Sequence, residues 1–262
     1  MAEPNALLDD LRAEGAELET LVRPLTAAQW ATPTPAAGWT VAHQIAHLAW
    51  TDAQSLLAAT DPEGFAKVVE EAVTRFDTFV DEGAEAGAQD DPAILLDRWA
   101  KGRVALADAL AAKPKGERIP WFGPPMSAAS MATARLMETW AHALDVADAL
   151  GVRREPTARL RHVAWIGVRA RDNAYATHGL TPPAEQFRVE LTAPDGDEVW
   201  AYGPEGAPQR VTGSALDFCL LAVRRVHRDD TGLTAEGADA DRWLDIVQAF
   251  VGPPGAGRES AR

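Results

Sequence analysis

The sequence predicts a mainly α-helical protein: an up-down helix bundle over residues 1–180, a small α+β domain over residues 185–253 and a tail at 254–262. Two observations predict this. As far as Gly179, apolar residues return every three or four positions in long segments joined by short connections, which is typical of consecutive packed helices. After Gly179, short segments alternate apolar and polar residues, which is typical of half-buried strands.

The helices of the first part have recognisable boundaries. Leucine spacing predicts a first helix over 5–23, and a second helix follows Thr40, a residue type favoured at the N-cap, as far as about residue 59. Asp61–Pro62 begins a third helix, predicted to continue through residue 79, and Asp91–Pro92 begins a fourth that ends near residue 112. Asp accepts the free N–H groups of a first turn, and Pro is favoured at its first position.

Residues 113–125 are predicted to form a connecting loop because they are rich in Pro and Gly. Ser127 is then the N-cap of a long helix that ends at Gly151, a residue type that stops helices in the left-handed conformation. A further helix is predicted over 157–178.

The α+β part begins with a predicted hairpin, in which Phe187–Thr192 and Val199–Tyr202 flank the turn residues 194–196. The remaining predicted elements are a strand at Gln209–Thr212, a helix from Ser214 to about residue 226, a strand at 232–235 and a helix from Asp239 to about residue 251.

The composition narrows the possible functions. The net charge of −14 disfavours nucleic acid or an anionic membrane as the main partner, because neither is attracted to an acidic protein. The single cysteine, Cys219, excludes internal disulfides and lies in an apolar run, which favours a core position over a nucleophilic role. The chain has no signal-peptide pattern and no apolar run of about 20 residues, so we expect a cytoplasmic protein.

The helix ending at Gly151 contains a candidate metal site. Glu138 and His142 are four residues apart, so their side chains project from one face of the helix. His47, in the apolar second helix, is the candidate third ligand, although His43 has the same spacing from His47 and could add a fourth. We favour three ligands, because an open coordination position is typical of catalytic sites. Imidazole and carboxylate suit zinc, and also iron(II), manganese, nickel or cobalt.

Other residues are candidates for binding around this metal. Trp50 and Trp140 lie near the proposed ligands in sequence and could form walls of a cofactor pocket, although tryptophans are more often core residues. Arg224 and Arg225 belong to the densest basic cluster of the chain. They either stabilise a helix C-terminus or bind a substrate carboxylate, for which the guanidinium fork is well shaped.

Two segments, Gly38–Trp50 and Glu138–Gly151, together resemble the mycothiol-dependent maleylpyruvate isomerase family within the DinB-like metal-binding superfamily. The second half, in Val211–Leu221 and Trp243–Gly255, is similar to an actinobacterial subgroup of metal-binding proteins without a defined function. The resemblance covers nearly the whole chain.

The resemblance implies a DinB-like four-helix bundle with a metal held by His47, Glu138 and His142. It also implies a sterol-carrier-like α+β domain that contributes an arginine to the active site, for which Arg224 and Arg225 are the nearest matches. The implied cosubstrate is mycothiol.

These observations lead to one favoured hypothesis and two rivals. The favoured one is a metal-dependent isomerase or S-transferase in which a thiol, mycothiol, attacks a small electrophilic and acidic substrate. The rivals are a metal-dependent hydrolase, in which the open position activates water, and a non-catalytic protein that binds a metal or an apolar ligand. The expected partners are therefore small molecules, and the expected assembly is a monomer or homodimer.

Overall fold

The computed structural model describes residues 4–75 and 78–261 and divides the chain into two compact units, Met1–Arg154 and Glu155–Arg262. The two units contain the classes of structure expected from the sequence: the first consists mainly of helices, and the second combines a small sheet with helices. The predicted domain limits of 1–180 and 185–253 stay a prediction, because packing contacts do not show which segments fold independently.

The first unit is helical. Its helices are α1 (Pro4–Val22), α2 (Ala27–Trp30), α3 (Val41–Thr60), α4 (Pro62–Thr74), α5 (Phe79–Ala88), α6 (Pro92–Ala111) and α7 (Ala128–Leu150). The four longest, α1, α3, α6 and α7, pack against one another and form the bundle. Their buried faces share one apolar core, which includes Leu18, Ile45, Trp99 and Val146.

The boundary signals explain where these helices begin and end. The Asp61 and Asp91 carboxylates accept backbone N–H bonds from Gly64 and Ala93, and the Ser127 hydroxyl accepts one from Ser130. α7 ends at Gly151, whose φ of 65° lies in the left-handed region that glycine adopts without strain. The predicted start of each of these helices is confirmed.

Two predictions for the first unit are corrected. The segment 113–125 is not only a loop, because Arg118–Ile119 (β1) pairs with Met126–Ser127 (β2) in a short antiparallel ladder. The helix predicted to run through residue 79 is two helices, since α4 ends at Thr74 and α5 begins at Phe79; residues 76 and 77 lie outside the described part. Neither a two-residue strand pairing nor a break between two helices leaves a strong pattern in the sequence.

The second unit combines four helices with a sheet. Its elements are α8 (Leu160–Arg169), α9 (Arg171–Thr177), β3 (Phe187–Thr192), β4 (Val199–Tyr202), β5 (Gln209–Ser214), α10 (Ala215–Ala222), a 3₁₀ turn (Arg228–Asp230), β6 (Thr234–Glu236) and α11 (Ala238–Ile246). The sheet order is β4-β3-β5-β6, with β3 parallel to β5 and the other pairs antiparallel. The predicted hairpin is confirmed, and its register pairs Leu191 with Trp200. The single helix predicted over 157–178 is wrong, because Ala170 separates α8 from α9.

Within the described residues, no helix combines the length and the apolar character needed to cross a bilayer. The described part of the tail, as far as residue 261, contains neither helix nor strand.

Candidate metal centre

His47 reaches the candidate site from the middle of α3, the central helix of the bundle. Its neighbours Ala46 and Leu48 are fully buried, and His47 itself is only 7% exposed. The helix begins beside Thr40, whose backbone N–H donates to the His43 Nδ1 at 3.2 Å. This N-terminal cap fixes the start of α3, and therefore the face on which His47 lies.

Glu138 and His142 reach the same point from α7. The Glu138 Oε2 lies 3.2 Å from the His142 Nε2 and 3.5 Å from the His47 Nε2. The two imidazole rings have centroids 4.4 Å apart. The structure therefore brings together all three residues that the sequence proposed as ligands, although they are separated by about ninety residues of chain.

The three side chains also perturb one another electrostatically. Burial raises the pKa of the Glu138 carboxyl, but hydrogen bonds and charge interactions with His142 and His47 outweigh it. The pKa of Glu138 consequently lies well below its ordinary value, and the carboxylate is ionised at neutral pH. An ionised carboxylate beside two imidazoles is a suitable donor set for a divalent cation.

The spacing of the donor atoms fits a metal ion. One donor atom from each of the three residues lies within 4.8 Å of the other two. Zinc bonds of about 2.1 Å at a tetrahedral angle place donor atoms about 3.4 Å apart, close to both distances measured from Glu138. The His47 Nδ1 is also buried without a hydrogen-bond partner among the described residues.

Gln44 positions His142 through a chain of hydrogen bonds that the sequence analysis missed. The Thr34 hydroxyl donates its single hydrogen to the Trp39 carbonyl at 2.9 Å, so it must accept the 2.9 Å bond from the Gln44 Nε2. This orients the Gln44 Oε1 toward the His142 Nδ1, 2.5 Å away. The Nδ1 therefore donates a proton to Gln44, and the Nε2 that faces Glu138 is the nitrogen that would bind a metal once it has lost its own proton.

Trp39 is the second residue that the sequence analysis missed. Its ring stacks on His142, with centroids 6.0 Å apart and planes inclined by 19°, and its centroid lies 5.3 Å from that of His47. Trp39 stands one residue before the N-cap Thr40, so it lies outside α3 and no helical spacing places it at the site.

His43 lies next to the site but uses both ring nitrogens elsewhere. Its Nδ1 binds the Thr40 hydroxyl at 2.8 Å, and its Nε2 binds the Glu85 carboxylate at 2.8 Å. A ring with both nitrogens engaged has no free lone pair for a metal. This geometry favours the three-residue set over a set of four.

Trp50 and Trp140, proposed as cofactor walls, occupy different environments. Trp50 packs edge-on against Phe79 and stacks with Phe122, with centroid distances of 5.2 and 6.4 Å. Trp140 is 6% exposed and belongs to the buried face of α7. A cofactor-binding role for either residue stays a prediction.

Arg224 and Arg225 follow α10 in the second unit. Arg224 has a φ of 62°, rare for a residue other than glycine, and its Nη1 lies 3.4 Å from the Asp245 carbonyl oxygen. The Arg225 Nη1 donates to the Val223 carbonyl at 2.7 Å. Their catalytic role also stays a prediction.

Cys219, by contrast, is confirmed as a core residue, since it is fully buried and burial raises its pKa well above the ordinary value.

The helix bundle and its His–Glu–His cluster define a protein of the DinB-like fold class. A family model described as the mycothiol maleylpyruvate isomerase N-terminal domain matches residues 11–147, which include all three candidate ligands. The chain belongs to this family. A second family model, described as wyosine base formation, matches residues 183–236 of the second unit.

Comparison with individual proteins agrees with this assignment. Two uncharacterized proteins, from two strains of Mycobacterium tuberculosis, are each 56% identical over 258 residues, which span 98% of this chain and 100% of theirs. Crystal structures of the mycothiol-dependent maleylpyruvate isomerase and of a histidine variant share the fold, with TM-scores of 0.60 and 0.61 at 17% and 20% identity. Each comparison covers 89% of this chain and 93% of the other.

Proposed function

We propose that this protein is a metal-dependent enzyme that uses a low-molecular-weight thiol, mycothiol, either to isomerise a small electrophilic and acidic substrate or to become attached to it through sulfur, as an S-transferase. The observation that carries the proposal is the cluster of His47, Glu138 and His142 within 4.8 Å, on the family-matched part of the chain. The names of the structural relatives support the choice of thiol.

The three side chains would hold one divalent cation, with zinc the favoured metal. A cation so held supplies Lewis acidity, which lowers the pKa of a thiol and favours the thiolate at neutral pH. Three protein ligands leave a tetrahedral ion with one open position for an external ligand. Gln44 accepts the His142 Nδ1 proton and so leaves the Nε2 as the nitrogen available to the cation, and the Trp39 ring packs beside both imidazoles.

The proposed reaction begins when the thiolate sulfur adds to one carbon of a conjugated alkene. A C–S bond forms, and the former π electrons pass to the carbonyl conjugated with it. Rotation about the resulting single bond, followed by C–S cleavage, gives the opposite alkene geometry and regenerates the thiolate. If a proton is captured before cleavage, the sulfur stays in the product, and the same protein is an S-transferase. In this proposal Arg224 or Arg225 binds the substrate carboxylate, and Trp50 and Trp140 contribute to the thiol pocket.

Metal content is the first test. Elemental analysis of the purified protein should find one divalent metal per chain, and His142→Ala should lose it. His43→Ala is the matched control, because His43 lies one helical turn from His47 but binds Thr40 and Glu85 instead. A His142→Ala protein that is folded and retains full metal content contradicts the ligand assignment.

Thiol dependence is the second test. Native mass spectrometry with and without mycothiol reads the metal, the bound thiol and the number of subunits together. Isomerisation of maleylpyruvate to its trans isomer should require both metal and mycothiol. Turnover of an ester or amide without any thiol would instead indicate the hydrolase. If the metal-loaded protein turns over no substrate either with or without thiol, a binding function is indicated.

A further inference from the structure

The second unit contains a cavity that the proposed metal chemistry does not use. Its volume is about 360 Å³, within the range of small-molecule sites. Four aromatic side chains are among its lining residues: Trp165 from α8, Phe187 from β3, Tyr202 from β4 and Trp243 from α11. None of the three candidate metal ligands lines it.

One wall of the cavity contains a buried donor that lacks a partner. Trp243 is fully buried, and its indole nitrogen has no hydrogen-bond partner among the described residues. Its ring packs on Phe187 at 76° with centroids 5.6 Å apart, so it is held in place. Buried indole N–H groups usually have an acceptor. The indole nitrogen is itself closed off from the cavity, so a molecule bound there would change its surroundings without bonding to it.

The charged groups around the cavity favour an anion. Arg171 is already engaged, because it donates to the Asp172 carboxylate at 2.7 Å and lies over the Phe187 ring at 4.5 Å. Arg169, in the last turn of α8, also lines the cavity, is exposed and makes no hydrogen bond or ion pair with the residues that the structure describes. Burial raises the pKa of the Tyr202 phenol, so its hydroxyl keeps its proton. The available groups are therefore mostly donors, with one uncompensated positive charge.

We propose that this cavity binds a small aromatic carboxylic acid. Its ring would lie among Trp165, Phe187 and Tyr202, and its carboxylate would face Arg169. Stacking on aromatic rings supplies a contact for a flat apolar body, and the guanidinium fork supplies a charged pair of donors for the acid group. This inference goes beyond the proposed thiol chemistry and does not depend on it.

The test compares two probes that differ in charge: 2-naphthoate and its neutral analogue 2-naphthylmethanol. Calorimetric titration of the full-length protein should give one naphthoate site per chain, with at least tenfold tighter binding than for the alcohol. In a ¹H–¹⁵N spectrum the Trp243 indole resonance, assigned with Trp243→Phe, should shift as naphthoate is added. Equal affinity for the two probes overturns the assignment to an acid, and no saturable binding of either overturns the site.

Three variants locate the binding. Arg169→Gln should weaken naphthoate binding about tenfold, as expected for loss of one charged hydrogen bond at an exposed position, and leave the alcohol unchanged. Val168→Trp should abolish both by filling the cavity that Val168 lines. Arg242→Gln is the matched control, since Arg242 is exposed, adjoins Trp243 in sequence and does not line the cavity. Equal effects of Arg169→Gln and Arg242→Gln overturn the proposal.

The proposal for the cavity can be tested separately from the metal hypothesis. His142→Ala removes a candidate metal ligand but no cavity residue, so it should retain full naphthoate affinity. Loss of naphthoate binding in a folded His142→Ala protein would overturn the assignment to the second-unit cavity. Naphthoate binding in a protein without metal or thiol activity would support the cavity while contradicting the proposed function.

Discussion

Replacing Gln44 with leucine should weaken metal binding without removing a ligand. In the native structure the Gln44 Oε1 accepts the His142 Nδ1 proton at 2.5 Å, and Gln44 itself is fully buried. Leucine has a similar volume but no acceptor. The imidazole must then either leave its Nδ1–H unpaired or move the proton to the Nε2, which removes the lone pair that a metal needs.

The size of the effect follows from that unpaired donor. A buried donor without an acceptor costs about 1–3 kcal/mol, and about 1.4 kcal/mol corresponds to a factor of ten in affinity. Loss of the Gln44 acceptor should therefore raise the dissociation constant for Zn²⁺ about 5- to 140-fold. Truncation of hydrogen-bond partners around metal ligands generally costs about 10- to 100-fold, in the same range.

Competition with a zinc chelator of known affinity, at fixed pH and salt, measures this constant. Gln44→Glu is the matched variant, because its carboxylate still accepts the Nδ1 proton, and its affinity should stay within about threefold of wild type. The Zn²⁺ affinity of Thr34→Val should lie between those of Gln44→Leu and Gln44→Glu. This variant removes the hydroxyl that accepts a hydrogen bond from the Gln44 amide and fixes its orientation. A folded Gln44→Leu protein that binds Zn²⁺ as tightly as wild type refutes the tautomer argument.

Three further predictions concern stability and reactivity. Asp52→Ala should lower the unfolding free energy by about 3–5 kcal/mol in chemical denaturation, because it leaves the buried Arg135, now 2.8 Å from the Asp52 carboxylate, without its partner; a change below about 1 kcal/mol would contradict this. Cys219 should not react with a thiol reagent at pH 8 until the protein unfolds, since burial raises its pKa well above the usual value; rapid labelling of native protein would show otherwise. Burial raises the pKa of Glu19, but neighbouring arginines, including Arg103, outweigh it and lower the pKa, so its stabilising contribution is lost as pH falls below about 4.5. Glu19→Gln should therefore flatten the decline in unfolding free energy between about pH 5 and 3, and an unchanged slope would count against this pairing.

Part of the candidate ligand set was predictable from local spacing. Glu138 and His142 share a helical face by virtue of four residues of separation, and the apolar neighbours of His47 predict that it is buried. Helix starts at Asp61, Asp91 and Ser127 were predictable for the same reason, since a cap acts within three residues. These features survive in the structure because the tertiary packing agrees with the local preference.

The features that were missed depend on contacts distant in sequence. The role of Gln44 requires Thr34 ten residues before it and His142 ninety-eight residues after it, and no spacing rule joins the three. The break at Ala170 is similar, because the sequence over 157–178 is compatible with one continuous helix. Residue patterns predict which face of an element is buried, but they do not predict which polar atoms meet there.

The packing of α3 against α7 explains how the three candidate ligands can converge. Ala143, the residue after His142 on α7, is buried in the same core cluster as Ile45 and Leu48 on α3. The distance between two packed helices depends on the side chains at their contact. Imidazole centroids 4.4 Å apart show that α3 and α7 present His47 and His142 to each other. The apolar core beside these side chains therefore contributes to the candidate site as much as the side chains do, because it holds the two helices at the distance over which the donor atoms meet.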